Sequence, residues 1–116
     1  VYTAQQTKKI IKNLNKNTKS IISIFAGRMA DVGKDPIPVF KKCVSQSKRY
    51  SKIEILWAST REPYNIMQAK NVGCHIITMP LSIIEKTSYF GKSFNALTTD
   101  TVKKFLVDSK SSNFKL

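Results

Sequence analysis

The chain has 116 residues, enough for one small domain with a core and too few for two. Its apolar share of 41% is ordinary for a globular protein, and no run approaches the roughly 18 apolar residues of a membrane span. The net charge of +13, from 20 Lys and Arg against 7 Asp and Glu, raises nucleic acid or another anionic surface as a partner. Two features weigh against nucleic acid. The lysines fall in pairs on helical stretches (Lys8-Lys9, Lys41-Lys42, Lys103-Lys104), and no basic run interleaves with aromatics. Solvated helix faces explain this charge better.

The predicted elements run as follows. Val1 to Thr3 reads as the end of a strand, and Ala4 to Asn15 as a helix with Ile10, Ile11 and Leu14 inward. Thr3 is its candidate cap. Ser20 to Ala26 is a strand whose near-continuous apolar run predicts burial on both faces. Gly27 breaks it, and a loop to Lys34 follows. Asp35 as cap and Pro36 at the first helical position open a helix that ends near Arg49-Tyr50. Lys52 to Ala58 is the next strand. Ser59 or Thr60 caps a helix with Pro63 in its first turn and Gly73 beyond its end. Cys74 to Met79 is the last strand, ended by Pro80. Leu81 to Phe90 is a helix closed by Gly91. Thr98-Thr99-Asp100 caps a final helix carrying Val102, Phe105 and Leu106, and residues 109–116 form a loosely packed tail.

Each strand is followed by a helix after a short loop, the signature of an α/β fold with a parallel sheet. No glycine-rich phosphate motif follows any strand, so a dinucleotide fold or P-loop is disfavoured. Cys43 and Cys74 form no CxxC pair, which leaves a zinc or redox site unsupported and fits free, buried thiols in a reducing, cytoplasmic compartment. The single histidine, His75, sits in an apolar run and reads as a packed core residue.

Two strand ends carry polar groups. The first offers Ser23, Phe25 and Arg28, with Asp31 three residues on. The second offers Ser59 and Arg61 at the start of a helix. In a barrel such ends share one face, so two guanidinium groups, a hydroxyl and free helix N–H groups would converge, a set suited to a phosphate monoester. The plainer readings are an Arg28 paired with Asp31 or Asp35, and a Ser59 that only caps a helix.

The segments Ser-Ile-Phe-Ala-Gly-Arg-Met-Ala-Asp (23–31), Ile-Leu-Trp-Ala-Ser-Thr-Arg (55–61) and Gly-Cys-His-Ile-Ile-Thr-Met-Pro (73–80) resemble the second half of the transaldolase and fructose-6-phosphate aldolase family. The resemblance runs over nearly the whole chain. It implies the C-terminal half of a TIM-type (β/α)8 barrel: strands six to eight, with the end of strand five at Val1 to Thr3. It also implies roles. Arg28, Ser59 and Arg61 match the phosphate-binding positions, and Ser23 and Phe25 line the substrate pocket. Phe25, where the aldolases have Tyr, leans toward the transferases. Ile24 and Thr60 depart from the family's proline and aromatic, and they lie at the rim that selects the sugar.

The chemistry implied by the resemblance is transfer of a dihydroxyacetone unit between sugar phosphates through a Schiff base, without metal or cofactor. The Schiff-base lysine and the proton-moving acids fall, by the same resemblance, before Val1. No catalytic residue is therefore assigned in this chain. A closed barrel takes about 250 residues, so the expectation is a half-barrel partnered by the missing N-terminal half or by a second copy. The alternative is a basic half-barrel that binds nucleic acid or other polyanions without catalysis.

Overall fold

The structure of the chain, a computed structural model, describes residues 1–111. In chain order the elements are α1 (Ala4–Asn13), β1 (Ser20–Phe25), α2 (Ala26–Asp31), α3 (Ile37–Ser47), β2 (Ile53–Ala58), α4 (Asn65–Asn71), β3 (Ile76–Ile77), α5 (Leu81–Lys86), a 3-10 turn at Thr87–Tyr89, and α6 (Phe94–Ser111). The strands form one parallel sheet in the order β1-β2-β3. Val1 extends it on the other edge of β1. Its N–H donates to Ser23 O at 2.7 Å, and Phe25 N–H donates to Val1 O at 3.2 Å. Of the strand end expected at Val1 to Thr3 only Val1 makes these bonds; residues 1–3 form no strand, and Thr3 already caps α1.

α1 starts where the sequence places it. Thr3 Oγ1 accepts from Gln6 N–H at 3.1 Å, and Gln6 Oε1 accepts from Thr3 N–H at the same distance, a reciprocal capping box. α3 begins one residue later than expected. Asp35 Oδ1 accepts from Ile37 N–H at 3.0 Å, while Pro36 takes the cap position itself.

The core lies on one face of the sheet. Side chains alternate along a strand, and the even positions of β1 (Ile22, Ile24) and the odd positions of β2 (Ile53, Ile55, Trp57) are buried with Ile11, Phe40, Cys43 and Val44. Phe40 stacks on Trp57 with ring centroids 4.5 Å apart. Cys43 Sγ donates to Thr7 Oγ1 at 3.2 Å, joining α3 to α1. Ile21, Ser23 and Phe25 point to the opposite face, where Ile21 is 53% exposed. Burial on both faces of β1 is therefore not observed among the described residues: on that side Ile21 is exposed and Ser23 half-buried, while Phe25 meets the Tyr2 ring at the strand end.

Four other expectations change. The loop predicted from Gly27 is the short helix α2, since Ala26, Gly27 and Met29 are buried and draw the chain into a turn directly off the strand. β3 is confined to Ile76–Ile77, with His75 and Thr78 N–H adding bonds to Ile55 O and Trp57 O at 3.1 Å. The helix predicted to reach Phe90 ends at Lys86 and tightens into the 3-10 turn. α6 starts at Phe94, capped by Ser93 Oγ, and the hydroxyls of Thr98 and Thr99 bond back to the carbonyls of Phe94 and Asn95. No residue of α6 is buried, and Phe94, Phe105 and Val107 stand exposed. Of the predicted tail, 109–111 belongs to α6, and 112–116 lies outside the described residues.

One backbone contact fixes how the first two strands end. A Cβ at Gly27 would lie 1.7 Å from the carbonyl oxygen of Ser59, so only glycine permits this approach. Gly33, by contrast, has open space around it and a φ of +75°. Gly27→Ala should cost about 3 kcal/mol, the upper end for overpacking, and Gly33→Ala only about 1 kcal/mol from its left-handed backbone. Denaturant midpoints check this, and equal costs at the two positions would contradict it.

Candidate functional site

Phe25 sits directly opposite Ala58 in the parallel register, so β1 and β2 end level. Arg28 and Arg61 each follow three residues later, at the same carboxyl end of the sheet. Ser59 turns the second loop with φ +61°, a left-handed conformation that costs a non-glycine residue about 1–3 kcal/mol. Its surroundings hold it there. The Ser59 carbonyl lies over Gly27. The buried Thr60 donates its hydroxyl to Thr78 O at 2.6 Å, tying the end of β2 to the end of β3. Asn65 Oδ1 then accepts from Arg61 N–H at 3.0 Å and Glu62 N–H at 3.1 Å.

These bonds revise two sequence expectations. Ser59 does not cap α4, and its hydroxyl has no hydrogen-bond partner among the described residues. The backbone N–H groups of Arg61 and Glu62, expected to be free for a ligand, are taken by Asn65.

The pairing of the arginines also differs from the plainer reading. Asp31 belongs to Arg61, not to Arg28. Arg61 Nε donates to Asp31 Oδ1 at 3.2 Å and Nη2 to Oδ2 at 2.7 Å, a bidentate fork. Arg28 turns instead to the aromatic side. Its Nη1 donates to Tyr2 Oη at 3.3 Å, and its guanidinium lies 6.0 Å from the Phe25 ring centroid. The Tyr2 and Phe25 rings are 5.4 Å apart. The hydrogen bond from Arg61 holds the Asp31 carboxyl below its ordinary range, and the positive charges of Arg61 and Arg28 add to it. The same bond raises Arg61. Both cations therefore act on one carboxylate at the sheet end.

A cleft of about 700 Å³ opens beside this cluster, with Arg28 and Lys34 on its walls along with Tyr2, Met29 and Val39. Ser23, Phe25, Ser59 and Arg61 do not line it. The structure thus joins Arg28 to Phe25 and Arg61 to Asp31, on which the Arg28 charge also acts, while Ser23 faces the open side of the sheet. Tyr2, Asp31 in its true pairing and Asn65 are the participants that sequence reasoning missed. Nothing local marks a bond between residues thirty positions apart.

Elsewhere the reactive side chains are engaged in structure. Burial pushes both thiols up, which disfavours the thiolate that nucleophilic sulfur requires. Cys43 is buried as expected, while Cys74 is half-buried. His75 is exposed rather than packed in the core. Its Nδ1 accepts from Ile55 N–H at 2.9 Å and so extends the sheet. Among the described residues no cluster of three or more His, Cys, Asp or Glu is placed to hold a metal ion, and no helix is long and apolar enough to cross a membrane.

The lowered Asp31 pKa fixes the sign of an acid effect. The ion pair contributes fully above the unfolded carboxyl value of 3.8, and its contribution is lost as pH falls through the lower folded value. Asp31→Asn should therefore be less stable than the parent at pH 7, and the two denaturant midpoints should draw together below pH 3.8. A gap that stays constant to pH 2 would contradict the pairing.

With this geometry in hand, comparison with known proteins is direct. The family model described as transaldolase/fructose-6-phosphate aldolase matches residues 1–116. A protein from Herpetosiphon aurantiacus described as a probable transaldolase is 31% identical over 90 residues, covering 77% of this chain and 38% of that relative. Probable transaldolases from Caldicellulosiruptor saccharolyticus and Clostridium botulinum are 33% and 34% identical, each over 75% of this chain and 39% and 38% of their own lengths. The chain thus spans about two fifths of the curated relatives it matches. Matched along its whole length, and over 30% identical to these relatives across three quarters of it, the chain belongs to the transaldolase/fructose-6-phosphate aldolase family.

Proposed function

We propose that this chain is the C-terminal half of a transaldolase-like (β/α)8 barrel and supplies the grip on the substrate's phosphate. The observation that carries this is the level ending of β1 and β2, which starts Arg28 and Arg61 each three residues beyond the carboxyl end of its strand, with both charges acting on Asp31. Val1 stands for the end of the fifth strand, and β1, β2 and β3 for the sixth to eighth. The face carrying Ile21, Ser23 and Phe25 then looks into the barrel, which the missing N-terminal half or a second copy completes. An apolar face of this kind gains when a partner covers it.

On this reading Arg28, Ser59 and Arg61 hold the phosphate dianion, while Ser23 and Phe25 bound the pocket for the sugar. The dianion competes with Asp31 for the Arg61 fork. That exchange is easy because both partners are about half exposed, and solvent-exposed ion pairs hold weakly. The reaction is transfer of a dihydroxyacetone unit between sugar phosphates in the cytoplasm. A lysine outside this chain forms the Schiff base with the ketose carbonyl, and carboxyl groups outside it move the protons. The lysines among the described residues are on helices and loops, and none lies in β1, β2 or β3. Family membership does not favour the alternative of a non-catalytic polyanion module.

Borohydride reduction in the presence of fructose 6-phosphate tests the reading. A longer protein that contains this chain and a front half-barrel should form a covalent adduct, and this chain alone should form none. Arg28→Ala in the longer protein should raise the sugar-phosphate concentration needed for half-maximal trapping by about tenfold to a hundredfold, the weight of one charged hydrogen bond, while trapping at saturation persists. No adduct in the longer protein, or an unchanged half-maximum in the variant, would overturn it.

A further inference from the structure

A second groove lies on the helix side of the sheet, between α1 and α3, and shares no lining residue with the cleft at the strand ends. Its volume is about 600 Å³, within the range of small-molecule sites. Lys8, Lys12, Lys16 and Arg49 line it. Lys8 and Lys12 are four residues apart on α1 and so share one helix face. No Asp or Glu occurs in residues 1–30 or 36–53, so neither helix offers these cations a carboxylate. The nearby acids are spoken for elsewhere: Asp31 by Arg61, Glu54 by Lys19, and Asp35 by the Ile37 amide. Four like charges around one concavity repel, and an anion in the groove relieves that cost.

Two further features ask for an organic group rather than bare phosphate. Tyr50 closes the groove with an aromatic ring, over which Lys16 Nζ sits 5.8 Å from the centroid. Gln46 on its wall donates to Ala4 O at 3.3 Å, but its Oε1, shut off from solvent, has no hydrogen-bond donor among the described residues. A base supplies a flat face for the ring, and an N–H or ribose O–H supplies the donor that Gln46 lacks once its amide turns into the groove.

We propose that the α1/α3 groove binds a nucleoside polyphosphate, with the phosphates on Lys8, Lys12 and Arg49 and the base against Tyr50. The site is independent of the sugar-phosphate reading, because it shares no lining residue with the cleft at the strand ends.

Calorimetric titration of the full chain with ATP and, separately, with inorganic tripolyphosphate tests this. ATP should bind, and the double variant Lys12→Ala/Arg49→Ala should weaken both ligands by about tenfold or more. All the replaced side chains are exposed or half-exposed, and circular dichroism confirms that the variants fold. Tyr50→Ala should weaken ATP by about fivefold or more and leave tripolyphosphate within about twofold. Lys103→Ala/Lys104→Ala on α6 should change neither. The proposal fails if ATP does not bind at millimolar concentration, if the α6 variant weakens binding as much as the groove variant, or if Tyr50→Ala leaves ATP affinity unaltered.

Discussion

The carbonyl oxygen of Ser59 rests where a side chain on residue 27 would have to be. This close approach of two backbones is the constraint on which the site depends. It locks the loop after β2 over the first turn of α2, and both loops leave strands that end in register. The strained backbone of Ser59 and the buried hydroxyl of Thr60 serve the same contact, since they aim the carbonyl at Gly27 and then fix the chain to β3. Arg61 begins from that fixed point, and its Cγ lies against the same glycine. Its guanidinium is thereby delivered across α2 to Asp31.

The two faces of the sheet do different work. One buries Ile22, Ile24, Ile53, Ile55 and Trp57 against α1 and α3 and supplies the stability of the chain. The other carries Ile21, Ser23 and Phe25 and is left largely open among the described residues, with Tyr2 against Phe25 at its carboxyl end. Under the proposed function this second face is the interior of a barrel, and its polar and aromatic residues near the carboxyl end are where a ligand meets the protein. The charge of the chain follows the same division. At the strand ends Asp31 and Asp35 are engaged with arginine and backbone, while the α1/α3 layer has lysines and arginine without acids.

Much of the fold was legible because its signals are local. The alternation of apolar runs with helical stripes placed every strand. Thr3 as a candidate cap gave the start of α1, and the polar residues after β1 and β2 marked the candidate functional end of the sheet. What escaped notice was set by contacts distant in sequence. Gly27 read as a strand breaker, yet its role is to admit a carbonyl from residue 59. Asp31 and Asp35 were the partners the sequence offered to a loop Arg28, but Asp31 is taken by an arginine thirty residues on, and Arg28 finds Tyr2 and Phe25. Ser59 carried the composition of a helix cap, and tertiary packing turned it left-handed instead. His75 sat in an apolar stretch, but the pleat directs it outward, where its ring extends the ladder.

The central claim is that Arg28 and Arg61 serve one anion. A double-mutant cycle on sugar-phosphate affinity, with Arg28→Ala, Arg61→Ala and the pair made in a protein that contains the whole barrel, tests it most directly. Two groups on one phosphate should show a coupling of about 0.5–3 kcal/mol, with the pair costing less than the sum of the singles. Additive losses, or a loss from only one of the two, would mean that the strand ends hold separate charges and no shared site.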